Sequence, residues 1–230
     1  MHLAQIWRYP VKSLAGEPLD AALLTAQGIH GDRIVHVEDG QHHPITSRTH
    51  PKLLGLRGRL NSAGHVEVDG REWTHPEVRA KIKGIVGSGA RLIGESGLYR
   101  FDILPLLVAT DGAISAFGHD GRRLRPNLVI GGVEGLEERK WPGKCLEIGD
   151  ARIGIEDLRG RCVMTTYDPD TQQQDQNVLR EIVRKFAGKL ALNCFVIQGG
   201  EIRVGDAVHL TEMPAGAEKF ATPWLATAQV

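Results

Sequence analysis

The residue with the widest chemical reach in this sequence is Cys162, which follows Arg161 directly, lies close to Arg159 and opens the run Val163-Met164-Thr165-Thr166-Tyr167-Asp168-Pro169-Asp170-Thr171. Neighbouring guanidinium groups favour a thiolate, and a thiolate is what a soft metal centre or a nucleophilic site requires. The bland reading is a strand cysteine serving as a small hydrophobe, since free cysteine is among the most buried residue types. Asp168 is equally two-sided. It could orient groups near the thiolate, or simply close a turn, because Asp-Pro-Asp-Thr is good turn chemistry. Cys145 and Cys194 sit in strand-like runs without comparable charge nearby and read as packing residues.

Four further segments concentrate groups that bind phosphate. Tyr9-Pro10-Val11-Lys12-Ser13 puts a lysine and a hydroxyl just after a strand, Gly31-Asp32-Arg33 is a charged turn, Ile45-Thr46-Ser47-Arg48 ends in an arginine, and Leu124-Arg125-Pro126-Asn127 enters an apolar strand. Arginine offers a planar fork to phosphate oxygens, while lysine, hydroxyls and asparagine serve the remaining acceptors. Singly, each segment also reads as a solvated charge on a structural turn, and Asp32 with Arg33 equally as a buried ion pair. His42 and His43 are adjacent, so on a strand they would face opposite ways, and no HxxxH spacing follows; they read as loop polar residues.

Lysine plus arginine and aspartate plus glutamate both total 28 in the 230 residues, so no whole-protein field favours nucleic acid or an anionic membrane, and any anion site must be local. Three cysteines without a CxxC pair suggest neither a disulfide framework nor a structural zinc site. No basic leader and no long apolar run occurs, which reads as a cytoplasmic chain. No plant-type cluster motif is present to carry electrons.

The elements that must hold these residues are predominantly strands. Short β-prone runs over 3–7, 19–25, 33–37, 53–60 and 66–68 are separated by glycine, proline, asparagine and aspartate. Glycines accumulate over 84–97, which reads as a boundary between subdomains. Thr110 can cap a short helix ending near Gly118, 128–130 reads as a buried strand, and 146–155 as a hairpin turning at Gly149 and Asp150. The clearest helix is predicted over 177–187, with Asp175 at its start, Gly188 at its end, and Val178, Leu179, Ile182, Val183 and Phe186 as one apolar face. The runs 195–197 and 202–210 read as a final hairpin across Gly199 and Gly200, and the last fifteen or so residues as a loose tail. Many short strands and few helices, without a βαβ rhythm, predict a mainly β (α+β) fold closed into a barrel.

Taken in order, Tyr9-Pro10-Val11-Lys12-Ser13, Gly31-Asp32-Arg33, Thr46-Ser47-Arg48 before Pro51-Lys52-Leu53-Leu54, Arg125-Pro126-Asn127 before Leu128-Val129-Ile130, and 161–171 resemble the MOSC domain family, in particular its branch of mitochondrial amidoxime-reducing components and their bacterial homologues. The resemblance runs from Leu3 to Leu210. It implies a MOSC β-barrel over 90–212, a smaller N-terminal β-rich subdomain over 1–85, and a C-terminal tail over 213–230. It implies the molybdenum cofactor (molybdenum held by molybdopterin), with Cys162 as the thiolate ligand of molybdenum and Asp168 beside it as a second catalytic candidate. Lys12, Ser13, Arg33 and Arg48 from the first part, and Asp102, Thr110, Arg125, Asn127 and Arg161 from the second, correspond to cofactor-binding positions. Pyridoxal phosphate binding is attached to the family as well.

The function so implied is reduction of N-hydroxylated small molecules, with transfer of the N–O oxygen to molybdenum and electrons from a separate reductase; neither nucleic acid nor membrane is an expected partner. The alternative is a carrier of the cofactor, or of sulfur as a Cys162 persulfide, acting in cofactor maturation. The sequence departs from the animal members at Ile103 and Leu104, where a Thr-Ser pair is expected before the proline, at Gly160 in place of a serine, and at Cys194 in place of a tyrosine.

Overall fold

Leu3 and Ile6, in the strand His2–Arg8 (β1), are both fully buried although they stand three residues apart. A regular strand would send them to opposite faces. The register of β1 shifts between Leu3 and Gln5, and this bulge turns both side chains inward. The computed structural model describes residues 1–94 and 100–225. After β1 its strands are β2 (Glu17–Leu19), β3 (Ala21–Thr25), β4 (Gly28–Ile29), β5 (Val35–Glu38), β6 (Pro44–Ile45), β7 (Gly58–Leu60), β8 (Val66–Val68), β9 (Arg71–Glu72), β10 (Arg91–Gly94), β11 (Leu106–Thr110), β12 (Leu128–Gly131), β13 (Lys144–Ile148), β14 (Ala151–Gly160), β15 (Lys189–Gln198), β16 (Gly200–Arg203) and β17 (Val208–Glu212). The helices are α1 (Pro76–Val86), α2 (Asp111–Phe117), α3 (Gln176–Phe186) and α4 (Thr222–Leu225).

Eight strands form one sheet in the order β17-β13-β14-β15-β11-β12-β1-β2. It curls until β1 meets the far edge: His2 bridges Ala207, and the amides of Leu3 and Val208 donate to Asp206 O (2.9 Å) and Met1 O (3.0 Å). Closure leaves few free edges and encloses a core that includes Leu106, Val108, Leu146, Ile153, Ile155 and Leu192. The fold is therefore mainly β, as the alternation predicts, with one exception to the expected absence of βαβ units. β11 and β12 are parallel and joined through α2. That helix is held as its sequence predicts, with Thr110 Oγ1 accepting from Ala113 N and Gly118 left-handed at the end.

A second core gathers Val11, Leu14, Val35, Val37, Leu53, Val68 and Ile82 between α1 and two small sheets, β10-β5-β6 and β7-β8-β9, while the third, β16-β3-β4, packs Ala22, Leu24, Ile29 and Ile202 into the barrel core. α1 occupies the approach to the glycine-rich stretch and is not anticipated in the sequence reading, although Pro76 at its first turn, His75 capping Glu77 N and Gly87 at its end are recognisable signals. Residues 95–97 of that stretch lie outside the described residues. The run 53–60 is not one strand: Pro51–Gly55 coils as a 3-10 turn before β7. Chain order and spatial grouping interleave, since β1 and β2 belong to the large sheet while β16 pairs with β3.

The hairpin expected across Gly199 and Gly200 does not form. β15 pairs with β14 and β11, whereas β16 crosses to β3 and β17 to β13. A Cβ on Gly199 would lie 2.6 Å from Leu24 O, so the glycine lets the chain turn against β3 instead of folding back along β15. α3 begins at its Asp175 cap as predicted, and Val178, Ile182 and Phe186 pack against α2; Val183 stays 59% exposed, so the buried stripe is narrower than the sequence suggests. The C-terminal segment is not loose throughout. Ala217 and Ala221 are buried, and Trp224 meets Phe101 edge-on at 5.4 Å, while 226–230 lie outside the described residues.

β14 is the strand that presents the sulfur. Three register shifts, the last between Leu158 and Gly160, break its pairing with β15. Each shift bends a strand, and together they carry Arg159 to Cys162 off the barrel wall toward the N-terminal sheets.

Candidate functional site

Distant segments are stitched together before any cleft exists. Asp32 is fully buried; its Oδ1 accepts from Tyr9 N at 2.7 Å and its Oδ2 pairs with Arg33. The charged turn is thus locked against the loop after β1, and Lys12 N donates to Val35 O at 2.8 Å. Tyr9 in turn reaches the second half of the chain by donating its hydroxyl to Pro126 O (3.1 Å), while the Arg125 guanidinium lies 4.3 Å from the Tyr9 ring centre and donates to Leu14 O (2.8 Å). Ser13, Arg33 and Arg125 all have left-handed backbones (φ 72°, 52° and 55°), a strain the surrounding bonds must hold.

Burial pushes the Tyr9 phenol up to about 12, against the pull of Arg125 and Arg33. The unfolded chain therefore ionises first. The resulting stability is fully present below the ordinary value near 10 and is lost as pH rises through the folded value, a loss of about 2–3 kcal/mol. Urea unfolding of the parent and of Tyr9→Phe between about pH 9 and about pH 12 checks this, since the variant should lack that component of the decline.

Between the barrel and the N-terminal sheets opens a cleft of about 370 Å³. Nine of the residues marked in the sequence line it: Lys12, Ser13, Arg33, Arg48, Asp102, Arg125, Asn127, Arg161 and Cys162. Arg159 lines it too, giving six cations against the single carboxylate of Asp102. The neutral protein thus holds a local field suited to an anion. Asp102 is the hub: Lys12 Nζ approaches its Oδ1 at 3.1 Å, and Arg48 and Arg159 approach its Oδ2 at 3.2 and 3.4 Å. Despite the opposing effect of burial, these cations hold the Asp102 carboxyl far below the ordinary carboxylate range. Lys12 is shifted down by burial, with Asp102 opposing.

Cys162 stands at the end of β14 in extended conformation, half-buried, and its carbonyl accepts from Thr165 N (3.1 Å) and Thr165 Oγ1 (2.9 Å). The backbone is therefore anchored by the 3-10 turn Val163–Thr166 while the thiol lines the cleft. Cys145 and Cys194, by contrast, are fully buried, and burial raises both thiols. Arg161 donates Nη2 to Leu124 O (2.8 Å), yet its Nε and Nη1 are buried without a hydrogen-bond partner. Burial lowers its pKa to about 10. Unpaired buried donors are costly, so two on one guanidinium facing a cleft indicate a missing acceptor.

The structure gives Thr110 and Asp168 other work. Thr110 is fully buried, capping α2 and donating to Glu138 Oε2 at 3.1 Å. Asp168 lies outside the cleft lining; its Oδ1 accepts from Asp170 N and Thr171 N, and its Oδ2 pairs with Arg123 at 3.0 Å. Arg123 also donates to Thr166 O (3.1 Å), so Asp168 acts on the turn after Cys162 through that arginine. Asn127 is spent on Leu107 N, Trp7 O and Arg33, which makes it a positioning residue for Arg33.

Arg159, Ser47 and Asn193 join the lining without having been marked as cofactor-binding in the sequence. Arg159 was visible only as a charge near Cys162, and its contact with Asn193 Oδ1 (3.3 Å) depends on the bulged register of β14 on β15. Ile103 and Leu104 also line the cleft, giving it an apolar wall with Phe101 and Leu106.

Residues 1–96 match the MOSC N-terminal beta barrel domain and residues 114–209 match the MOSC domain. The chain is similar to mitochondrial amidoxime-reducing component 1 from Homo sapiens, at 25% identity over 279 aligned positions that take in 90% of this chain and 82% of that protein. It is likewise 24% identical to mitochondrial amidoxime reducing component 2 of the same organism, over the same shares of the two chains. Among solved structures, the YUAD protein from Bacillus subtilis matches with a TM-score of 0.51 at 12% identity, over 93% of this chain and 96% of that one. At that identity the likeness is one of fold.

Proposed function

We propose, from the premise that this chain belongs to the MOSC domain family, that the cleft binds the molybdenum cofactor and that the protein reduces N-hydroxylated small molecules. The family is associated with that cofactor, and the names of the relatives specify amidoxime reduction for those proteins. The observation that carries the reading here is the pairing of one accessible thiol with a crowd of cations around an unsatisfied guanidinium.

The residues fit the group. Among the described residues no cluster of three or more His, Cys, Asp or Glu could hold a metal, so a single thiolate on a metal already chelated by its own organic ligand suits the donor set. Cys162 Sγ would ligate molybdenum. Arg161, Arg125, Arg48, Lys12 and Ser13 would receive the phosphate and the polar edges of the pterin, and Ile103 and Leu104 would face its flat surface. When bound, the cofactor supplies the two-electron oxygen-atom chemistry. Lys12 would hold a proton at Nζ made more acidic by burial, whereas Asp102 stays ionised and serves to orient the three cations. Electrons would come from a separate reductase. Pyridoxal phosphate gains no comparable support, since the lysine of the cleft is tied to Asp102.

A second reading, a carrier of cofactor or sulfur, is favoured by one observation: the wall at Ile103 and Leu104 offers no side-chain hydrogen bonds. Expression in a host that makes the cofactor, followed by molybdenum and pterin analysis and a benzamidoxime assay with an artificial electron donor, separates the two. We expect near-stoichiometric metal and turnover. Metal-loaded protein inactive on a panel of N-hydroxylated substrates would favour the carrier, and protein without pterin would end both the reductase and the cofactor-carrier readings, leaving only sulfur carriage on Cys162. No helix among the described residues is long and apolar enough to cross a membrane.

A further inference from the structure

Arg125 and Met164 form one wall of the cleft just described, and a second cavity of about 210 Å³ lies against the same two residues. Its other walls are the flat or apolar side chains of Trp7, Tyr9, Leu54 and Tyr167. Gly16 lets the chain pass close beneath Tyr9, fixing the ring that walls the cavity, since a Cβ there would stand 2.5 Å from the ring and 2.3 Å from Arg8 O. A concave pocket with aromatic walls and a polar mouth is the usual form of a small-molecule site.

The charges around it specify the ligand further. Four arginines and one carboxylate, Asp170, line the cavity. Arg122 is answered by Asp120 and Asp170, each at 2.6 Å, and Arg123 by Asp168 at 3.0 Å. Among the described residues neither Arg57 nor Arg125 forms an ion pair. Arg125 is stacked on Tyr9, while Arg57 is exposed and its guanidinium makes no hydrogen bond. Asp170, already bonded to Arg122, is the acid that feels the Arg57 charge; aromatic walls prefer a flat ring, and a guanidinium without a hydrogen-bonded acid prefers an anion.

We propose that this cavity is a second binding site, distinct from the cofactor cleft, for a flat aromatic molecule carrying one anionic group directed to Arg57. The site does not depend on the molybdenum reading, so it is tested on full-length protein from a host unable to make the pterin. Calorimetric titration with 2-naphthoate should show one-to-one binding, with 2-naphthylmethanol about ten-fold weaker because it lacks the charge. Arg57→Ala should bring the naphthoate affinity down to that of the alcohol, and Leu54→Trp, which fills the cavity, should abolish binding of both. Arg48→Ala, in the first cleft, should change neither. Thermal melts establish that the variants are folded, and the exposed Arg57 keeps the test decisive if Leu54→Trp is not. Absence of naphthoate binding to the folded parent would overturn the proposal, as would weakening by Arg48→Ala in place of Arg57→Ala.

Discussion

Cys162→Ala, made in a host that synthesises the cofactor, should fold as the parent does and retain molybdenum only at background. The thiol is half-buried and makes no capping hydrogen bond, and the backbone at 162 is held by its own carbonyl and by Thr165, none of which the substitution touches. The cost in stability should therefore lie within about 0.5 kcal/mol, as for substitutions away from the core. What is lost is the one thiol in the cleft, whose other sulfur is the neutral thioether of Met164. Pterin should persist in part, because the basic groups that would hold its phosphate are unchanged. Cys145→Ala and Cys194→Ala should do the reverse: both side chains are fully buried, so metal stays at the parental level while stability falls by about 1–2 kcal/mol. Metal analysis beside denaturant unfolding for the three variants makes the comparison. Parental molybdenum in Cys162→Ala would remove this sulfur from the metal.

Phe195→Ala should be the most damaging single change to the scaffold, at about 3–5 kcal/mol. Phe195 is 1% exposed on β15, with Leu104 and Ala221 in its cluster. Its ring also covers Gly154 so closely that a Cβ there would meet it at 2.4 Å. One side chain thus joins the barrel, the docked C-terminal segment and the segment that carries Asp102. Its removal should lower the denaturation midpoint and, as Leu104 loses its support, loosen the grouping of Lys12, Arg48 and Arg159 around Asp102. Denaturant melts read the first effect. The second is read by phosphate binding to variant protein under conditions where it is still folded. A loss below about 1 kcal/mol would mean that the site relaxes around the missing ring.

What could be read from the chain alone was whatever is encoded over a few residues. Thr110 and Gly118 at the ends of α2, Asp175 at the start of α3, and the turn at Gly149 and Asp150 all act on atoms within a turn of themselves, and alternation of apolar residues sufficed for a mainly β fold. The balanced charge meant that any anion site had to be local, and nine marked positions do line one cleft. Other features were not legible because they arise from contacts between distant segments. Whether β16 follows β15 back or crosses to β3 turns on the space beside Leu24, and the direction of Cys162 turns on bulges whose partners lie 29 to 46 residues away. The same register brings Arg159 into the cleft, while the pairing of β11 with β12 and the cap on α2 consign Thr110 to the interior beside Glu138. Local codes state what a side chain can do; only the closure of the barrel decides which side chains meet, because a strand's partners are chosen by the burial of whole faces and not by its neighbours in sequence.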